Sequence, residues 1–183
     1  MNRVFSLTAM LLALSTTLQA QKYFTKNGHV SFFSKTSLEN IKANNNQVIN
    51  VLNIQTGEIQ FSLIVRNFHF AKSLMEVHFN ENYMESSKYP NAGFKGKIIN
   101  LNDIYFNNDG IYNAGVTGEM TIHGVVKKMN ATGIITVTGG KISISSTFFI
   151  RLSDYNISIP KLVIDKIAES IEVTVLSNLD QKM

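Results

Sequence analysis

The segment MTIHGVVKKM, at positions 120–129, sets a histidine beside a glycine and a pair of lysines. Imidazole exchanges protons near neutral pH and is a common ligand of zinc and copper, so His123 is the first side chain to test for chemistry. Both roles need partners. A general base needs a nucleophile within hydrogen-bonding reach, and a metal ion needs further ligands around it.

The sequence supplies few such partners for His123. The other histidines, His29, His69 and His78, have no close ligand spacing with it. The chain has no cysteine nucleophile, nucleophile elbow, phosphate loop or dinucleotide fingerprint. We therefore expect no catalytic residue, no metal and no cofactor. A mononuclear zinc or copper enzyme using His69, His78 and a distant histidine stays open as an alternative, because folding brings remote residues together.

The elements around His123 alternate polar and apolar residues with a period of two, which is typical of β-strands. In the phase that puts Met120 and Ile122 on the inner face, His123 falls on the outer face or in a turn at Gly124. We expect it to have no part in ligand binding. The predicted strands lie at residues 30–33, 48–54, 59–65, 94–101, 119–123, 125–137, 142–151 and 171–176.

Turn residues separate these strands, and two other segments look helical. Gly139–Gly140 is the sharpest hairpin signal, because two glycines can adopt the positive φ angles of a two-residue turn. The remaining predicted turns are 27–28, 44–46, 56–57 and 107–110. The helical segments are AKSLMEVHFNENYMESSKYP, which Ser73 could cap, and PKLVIDKIAES. The chain is therefore predicted to be all-β with one or two short helices, its roughly eight antiparallel strands closing or folding over.

The N-terminus has the pattern of a secretory signal. MNRVFSLTAMLLALSTTLQA contains Arg3, an apolar run from Val4 to Leu14, and Ala20 at its end. A basic start, an apolar run of about 7–15 residues and a final small residue mark a cleaved signal, and a membrane-spanning helix needs a longer run. We predict a signal peptide at residues 1–20, one domain at residues 21–183, and a periplasmic or secreted product.

Charge and cysteine content narrow the choice of partners. The formal net charge is +4 and the isoelectric point is near 9.2. The lysines are scattered apart from Lys127–Lys128, so a nucleic-acid partner is not expected. Transient contact with a membrane surface and a homodimer stay open. With no cysteine, stability must come from burial and backbone pairing.

Three ordered stretches resemble the YceI-like family. MTIHGVVKKMNATGIITV is similar to its strand, (Asn/His)-Gly-Val-x-(Lys/Arg), strand signature, and HFNENYMESSKYPNAGFKGKI is similar to its short helix, Lys-Tyr-Pro-x-Ala-x-Phe and strand. RLSDYNISIPKLVIDKIAESIEVTV resembles its C-terminal strand, loop and final strand. The resemblance implies an antiparallel lipocalin-like β-barrel that binds a long isoprenoid lipid, either a polyprenyl chain or an isoprenoid quinone, without catalysis.

The inner face of such a barrel is either filled by its side chains or wide enough for one ligand. Gly96 and Gly118 lie among large residues on that face and would leave a channel. The residues alone do not separate the two cases, so a filled barrel or sandwich serving as a secreted interaction protein is the alternative. The resemblance favours a ligand wall. The candidate ligand-binding residues are Phe32, Phe61, Leu63, Phe94, Ile98, Met120, Ile122, Phe148 and Ile150.

Overall fold

A computed structural model describes residues 21–183 of the chain. The signal peptide predicted at residues 1–20 lies outside the described residues and stays a prediction. The strands are β1 Lys22–Lys35, β2 Asn40–Asn53, β3 Glu58–Ile64, β4 His69–Phe70, β5 Asn91–Ile98, β6 Gly110–Ile122, β7 Val125–Thr138, β8 Lys141–Arg151, β9 Ser170–Leu179 and β10 Gln181–Lys182. The helix α1 spans Ser73–His78 and runs into a π-helical turn, Phe79–Tyr83.

The long strands form a closed antiparallel barrel. Neighbours follow in the order β1, β2, β3, β5, β6, β7, β8 and β9, and β9 pairs with β1 to complete the ring. The short strands β4 and β10 add to β2 and β1. The predicted eight-stranded barrel is confirmed, and closure removes the exposed sheet edges that would otherwise promote aggregation.

The barrel has two ends that differ in their connections. The upper end carries the β1–β2 turn, residues 65–90 with α1, the β6–β7 turn and residues 152–169 between β8 and β9. The lower end carries the β2–β3, β5–β6 and β7–β8 connections. Gly139 and Gly140 have φ angles of 55° and 75°, so the predicted hairpin between β7 and β8 is confirmed.

Two predicted turns are wrong because β1 and β2 are longer than the apolar pattern indicates. Asn27–Gly28 lies inside β1, where the register with β2 shifts on both sides of Gly28. Residues 44–46 lie inside β2. There the buried Asn45 side chain accepts a hydrogen bond from the Gln47 N–H at 2.9 Å and donates one to the Ile64 carbonyl at 3.0 Å. A satisfied amide can occupy a strand interior, so asparagine did not mark a turn here.

The predicted helices are shorter than their sequences suggest. Ser73 is the first helical residue of α1 and not its cap, since Lys72 holds the cap position and its side chain makes no capping hydrogen bond. In PKLVIDKIAES only one 3₁₀ turn forms, Lys161–Val163, so the second helix is wrong in extent. Isolated helices of this length are marginal, and the segment's apolar residues divide between the barrel interior and solvent.

The upper half of the wall is split between β7 and β8. These strands pair only from Ile134–Thr138 with Lys141–Ser145. Within residues 21–183, no ladder joins the upper part of β7, residues 125–133, to the upper part of β8, residues 146–151. A 3₁₀ turn, Leu152–Tyr155, follows β8 at the top of this split.

Candidate functional site

An apolar cavity of about 350 Å³ occupies the upper part of the barrel. This volume lies within the range of about 300–1,000 Å³ that ligand pockets usually have. Its wall combines side chains from the strands with residues of α1 and of the β8–β9 connection. The cavity is open at the upper end, because the solvent-exposed side chains of His78 and Lys166 also line it.

The strand alternation read from the sequence puts the expected side chains on this wall. Every candidate residue lines the cavity: Phe32, Phe61, Leu63, Phe94, Ile98, Met120, Ile122, Phe148 and Ile150. Register explains the grouping, since Phe61 on β3 pairs with Phe94 on β5, which pairs with Met120 on β6. Their contact with a ligand stays a prediction.

Four aromatic rings form a cluster at the upper end, and only one of them, Phe32, was predicted from the sequence as a wall residue. Phe32 on β1 packs against Phe68, Phe70 and Phe79, with ring centroids 5.3–5.7 Å apart. All four residues line the cavity. Phe68 and Phe70 flank His69, and this alternation could have indicated two side chains on one face. They lie in the connection that follows β3, where no strand was predicted. This aromatic cluster covers one side of the mouth.

A few polar groups stand at the mouth, and the interior lining is otherwise almost wholly apolar. Glu39 lines the cavity and forms an ion pair with Lys72 at 3.1 Å. The Ser34 hydroxyl accepts a hydrogen bond from the Ala168 N–H at 2.8 Å, which ties β1 to the β8–β9 connection. Burial raises the pKa of the lining Tyr83 phenol, so that group stays neutral in ordinary buffers. The geometry suits a molecule with a long apolar part and a polar end at the mouth.

The lower end of the barrel is packed. Leu52, Ile98, Ile135, Ile142 and Leu179 are each at most 2% exposed. The interior of this half of the barrel is therefore filled by side chains, as the alternative prediction has it, whereas the upper half is not. The cavity ends where these aliphatic side chains meet.

Gly96 and Gly118 do not leave the predicted channel. They pair with each other across β5 and β6. The Phe94 ring lies over both: a Cβ on Gly96 would come within 2.5 Å of it, and one on Gly118 within 2.8 Å. Neither glycine lines the cavity. The missing side chains make room for an aromatic ring of the wall, so this expectation was wrong.

His123 lies in a turn, as predicted, but it is buried and not on a wet outer face. Its φ is 51° and it is only 9% exposed. Its Nδ1 donates to the Tyr155 carbonyl at 3.1 Å, and its Nε2 lies 2.9 Å from a Glu85 carboxylate oxygen. The Tyr89 ring packs against the imidazole edge to face at 4.5 Å between centroids. This histidine cluster, Glu85, Tyr89, His123 and Tyr155, ties three connections of the upper end together.

The cluster has the composition of a catalytic dyad but not its geometry. Both ring nitrogens of His123 already face acceptors, so neither is free to take a proton from a substrate. His123 does not line the cavity. Two of its neighbours are also in the left-handed region, Glu85 at φ 42° and Asn156 at 57°. Such backbone costs about 1–3 kcal/mol per residue, which the surrounding contacts must offset.

The metal-site alternative finds no support in the geometry. Within residues 21–183, no three side chains of histidine, cysteine, aspartate or glutamate come together as a metal site would require. His69 lies 3.5 Å from Glu76 at the surface, and His78 stands at the cavity mouth. None of the helices in this part of the chain has the length and apolar character needed to cross a membrane.

Several solved structures share this fold. A polyisoprenoid binding domain from Saccharophagus degradans, implicated in plant cell wall breakdown, aligns with a TM-score of 0.74 and 12% identity over 86% of this chain and 95% of that chain. BcnA from Burkholderia cenocepacia aligns with a TM-score of 0.66 and 16% identity over 81% and 94%. A YCEI protein from Campylobacter jejuni gives 0.53 and 18% over 74% and 81%.

Sequence comparison gives the family directly. No curated protein matches the chain. The model of the YceI-like domain, by contrast, matches residues 15–178. The match spans most of the sequence and includes every strand that forms the barrel wall except the last residue of β9. The chain therefore belongs to the family of proteins with a YceI-like domain.

Proposed function

We propose that this protein is an exported carrier that holds the apolar chain of an isoprenoid lipid, a polyprenyl chain or an isoprenoid quinone, in the barrel cavity. The observation that carries the proposal is the cavity itself, which is apolar, open at one end and closed at the other by packed aliphatic side chains. A hydrophobic chain entering from the upper end would leave water over most of its length.

Burial alone supplies the affinity for such a chain. Each CH₂ group removed from water contributes about 0.8 kcal/mol, so a few isoprene units suffice without specific polar contacts. Phenylalanine and methionine side chains form much of the wall, including Met75, Met84, Met120 and Met129. Methionine adapts its shape readily, which suits a flexible chain of variable conformation.

The polar groups at the mouth give the ligand an orientation. His78 and Lys166 line the opening and are exposed to solvent, so a polar head group can stay hydrated beside them. The interior beyond the aromatic cluster offers no charged partner among the described lining residues. A charged head group inside would lose its hydration without compensation, so the tail enters first.

The comparisons and the sequence support the proposal from other directions. The Saccharophagus degradans relative is described as a polyisoprenoid binding domain, and its fold is shared here. This chain belongs to the family of proteins with a YceI-like domain. Export rests on the signal pattern of residues 1–20. The absence of catalysis is proposed because His123 has both ring nitrogens engaged and lies outside the cavity wall.

Extraction of the purified protein with organic solvent tests the proposal. Mass spectrometry of the extract should find an isoprenoid lipid, and delipidated protein should take up an added prenyl quinone with saturation. The matched control is a variant whose cavity is filled, Ala131→Phe, because Ala131 lines the cavity. Absence of lipid from the extract together with failure to bind prenyl quinone would contradict the carrier function.

A further inference from the structure

Large apolar side chains face solvent on three of the four connections at the upper end of the barrel. Leu162, next to the lining residue Val163, is 95% exposed, which is more than any other large hydrophobic residue of the described chain. Exposed apolar residues that cluster at one place mark an interaction site more often than single ones do. The apolar rim consists of Leu38, Leu74, Val77, Leu162 and Ile164.

Three separate segments build this rim in the same way. In the β1–β2 turn, Leu38 is exposed and the next residue, Glu39, lines the cavity. In α1, Leu74 is exposed beside Met75, and Val77 beside His78, both of which line the cavity. Each segment therefore places one side chain in the cavity and its neighbour outside the mouth.

The β8–β9 connection repeats the pattern. Val163 and Ile167 line the cavity, and Leu162 and Ile164 are exposed. In this connection the apolar lining residues Val163 and Ile167 therefore lie next in sequence to, or near, the exposed apolar residues Leu162 and Ile164.

We propose that the apolar rim docks on the surface of a lipid bilayer, so that the lipid tail passes between the bilayer and the cavity without crossing water. This inference rests on the proposed function, because only an apolar cargo needs such a path. The position of the rim identifies the partner. The rim lies on three of the four upper connections beside the opening, and a bilayer is the surface in which the cargo and the rim can both be buried.

The charges around the rim indicate that docking depends on insertion of apolar side chains into the bilayer and not on electrostatic attraction. Lys161 and Lys166 stand on either side of Ile164 and Asp165, and Lys72 is paired with Glu39. The mixture of signs gives no strongly cationic face. Docking is therefore expected on uncharged as well as anionic membranes, with little change as salt increases, unlike attraction through a polybasic patch.

Vesicle flotation with the delipidated full-length mature protein tests the docking. Phosphatidylcholine vesicles should carry the wild-type protein at low and at high salt. The double substitution Leu162→Glu and Ile164→Glu should weaken this binding about tenfold or more, because it removes apolar area and adds charge at the rim. The matched control is Ile111→Glu at the lower end of the barrel, where Ile111 is also largely exposed.

Two further measurements separate the docking from the proposed function and from other partners. Uptake of a short prenyl alcohol dispersed without vesicles should be unchanged in the rim variant, since Leu162 and Ile164 do not line the cavity. Transfer of a fluorescent prenyl lipid from vesicles should be slower with the rim variant than with the wild type, and the Ile111→Glu control should match the wild type. Failure of the wild-type protein to take up the dispersed alcohol would contradict the proposed function and not the docking.

The docking proposal is overturned by either of two results. One is equal vesicle binding by the wild type, the rim variant and the Ile111→Glu control. The other is a wild-type dimer in sedimentation that the rim variant abolishes while vesicle binding is absent throughout, because a second copy of the chain would then cover the rim.

Discussion

The two halves of the barrel interior are both apolar and lie on the same strands, yet one is solid and the other hollow. In the lower half, aliphatic side chains such as Leu52, Ile135 and Ile142 meet across a narrow space and are fully buried. In the upper half, Phe61, Leu63 and Phe148 face the same interior but remain partly accessible. The difference shows that an apolar inner face alone does not make a cavity.

Connections decide which half is hollow. The lower connections are short turns and a loop whose residues Leu101, Ile104 and Phe106 pack into the core. The upper connections are longer and lie across the mouth, where Phe79, Leu152 and Ile167 line the cavity without filling it. The split between β7 and β8 is also confined to the upper half. Loss of pairing between β7 and β8 therefore coincides with loss of packing, whereas the lower end stays packed although residues 25–28 of β1 form no ladder with β9.

The largest expected effect comes from placing a carboxylate in each half of the barrel interior and comparing how well the two variants fold. Ile142→Asp in the lower half should prevent stable folding, because an unpaired buried carboxylate costs about 3–5 kcal/mol. Phe148→Asp in the upper half should destabilise the protein less, because water entering the cavity can hydrate part of the new carboxylate, but prenyl binding should be lost. Circular dichroism and prenyl-quinone titration distinguish the two. Equal unfolding of both variants would show that the upper half is packed as tightly as the lower.

Truncation gives a second, smaller contrast. Leu179→Ala should lower the free energy of unfolding by about 2–5 kcal/mol, as expected for a buried leucine that leaves a new cavity. Leu63→Ala should cost less than this, because its side chain already faces the cavity. It should nevertheless weaken prenyl binding. Urea unfolding provides the comparison, and a larger loss for Leu63→Ala than for Leu179→Ala would contradict the assignment of the two halves.

The histidine cluster should affect stability more than binding. His123→Ala removes hydrogen bonds to Glu85 and to the Tyr155 carbonyl, and the expected loss of stability is about 1–3 kcal/mol. The affinity of the folded protein for a prenyl chain should change little, since His123 lies outside the cavity wall. His69→Ala, at an exposed position, is the control. A large loss of affinity with unchanged stability would revive a direct role for His123.

The smallest effect concerns the glycine pair beneath Phe94. Gly96→Ala should strain the pairing of β5 with β6 and displace the Phe94 ring, because the new Cβ would lie within 2.5 Å of both the Thr117 carbonyl oxygen and the ring. The ring would move toward the cavity, so we expect a modest decrease in prenyl affinity together with a loss of stability of about 1–3 kcal/mol from overpacking. Thermal unfolding and ligand titration measure both. Wild-type behaviour in both measurements would show that the ring does not depend on the glycine.

The barrel and its wall residues could be predicted because strand alternation fixes which side chains face inward. Phe61, Met120 and Phe148 line the cavity for that reason, and their contact with a ligand stays a prediction. Aromatic residues outside the strands were missed, Phe79 among them, because a connection has no periodicity to reveal where its side chains pack. The same limit applies to His123, since its burial depends on Glu85 and Tyr155, which are distant in sequence.

Titration of delipidated protein with a fluorescent prenyl quinone, in parallel for the wild type and the cavity-filling Ala131→Phe variant, tests the central claim most directly. The hollow upper half predicts saturation at one prenyl chain per wild-type protein, and a large loss of affinity in a variant that unfolds at nearly the wild-type temperature. Equal affinity in the two folded proteins would place the lipid outside the barrel and contradict the claim.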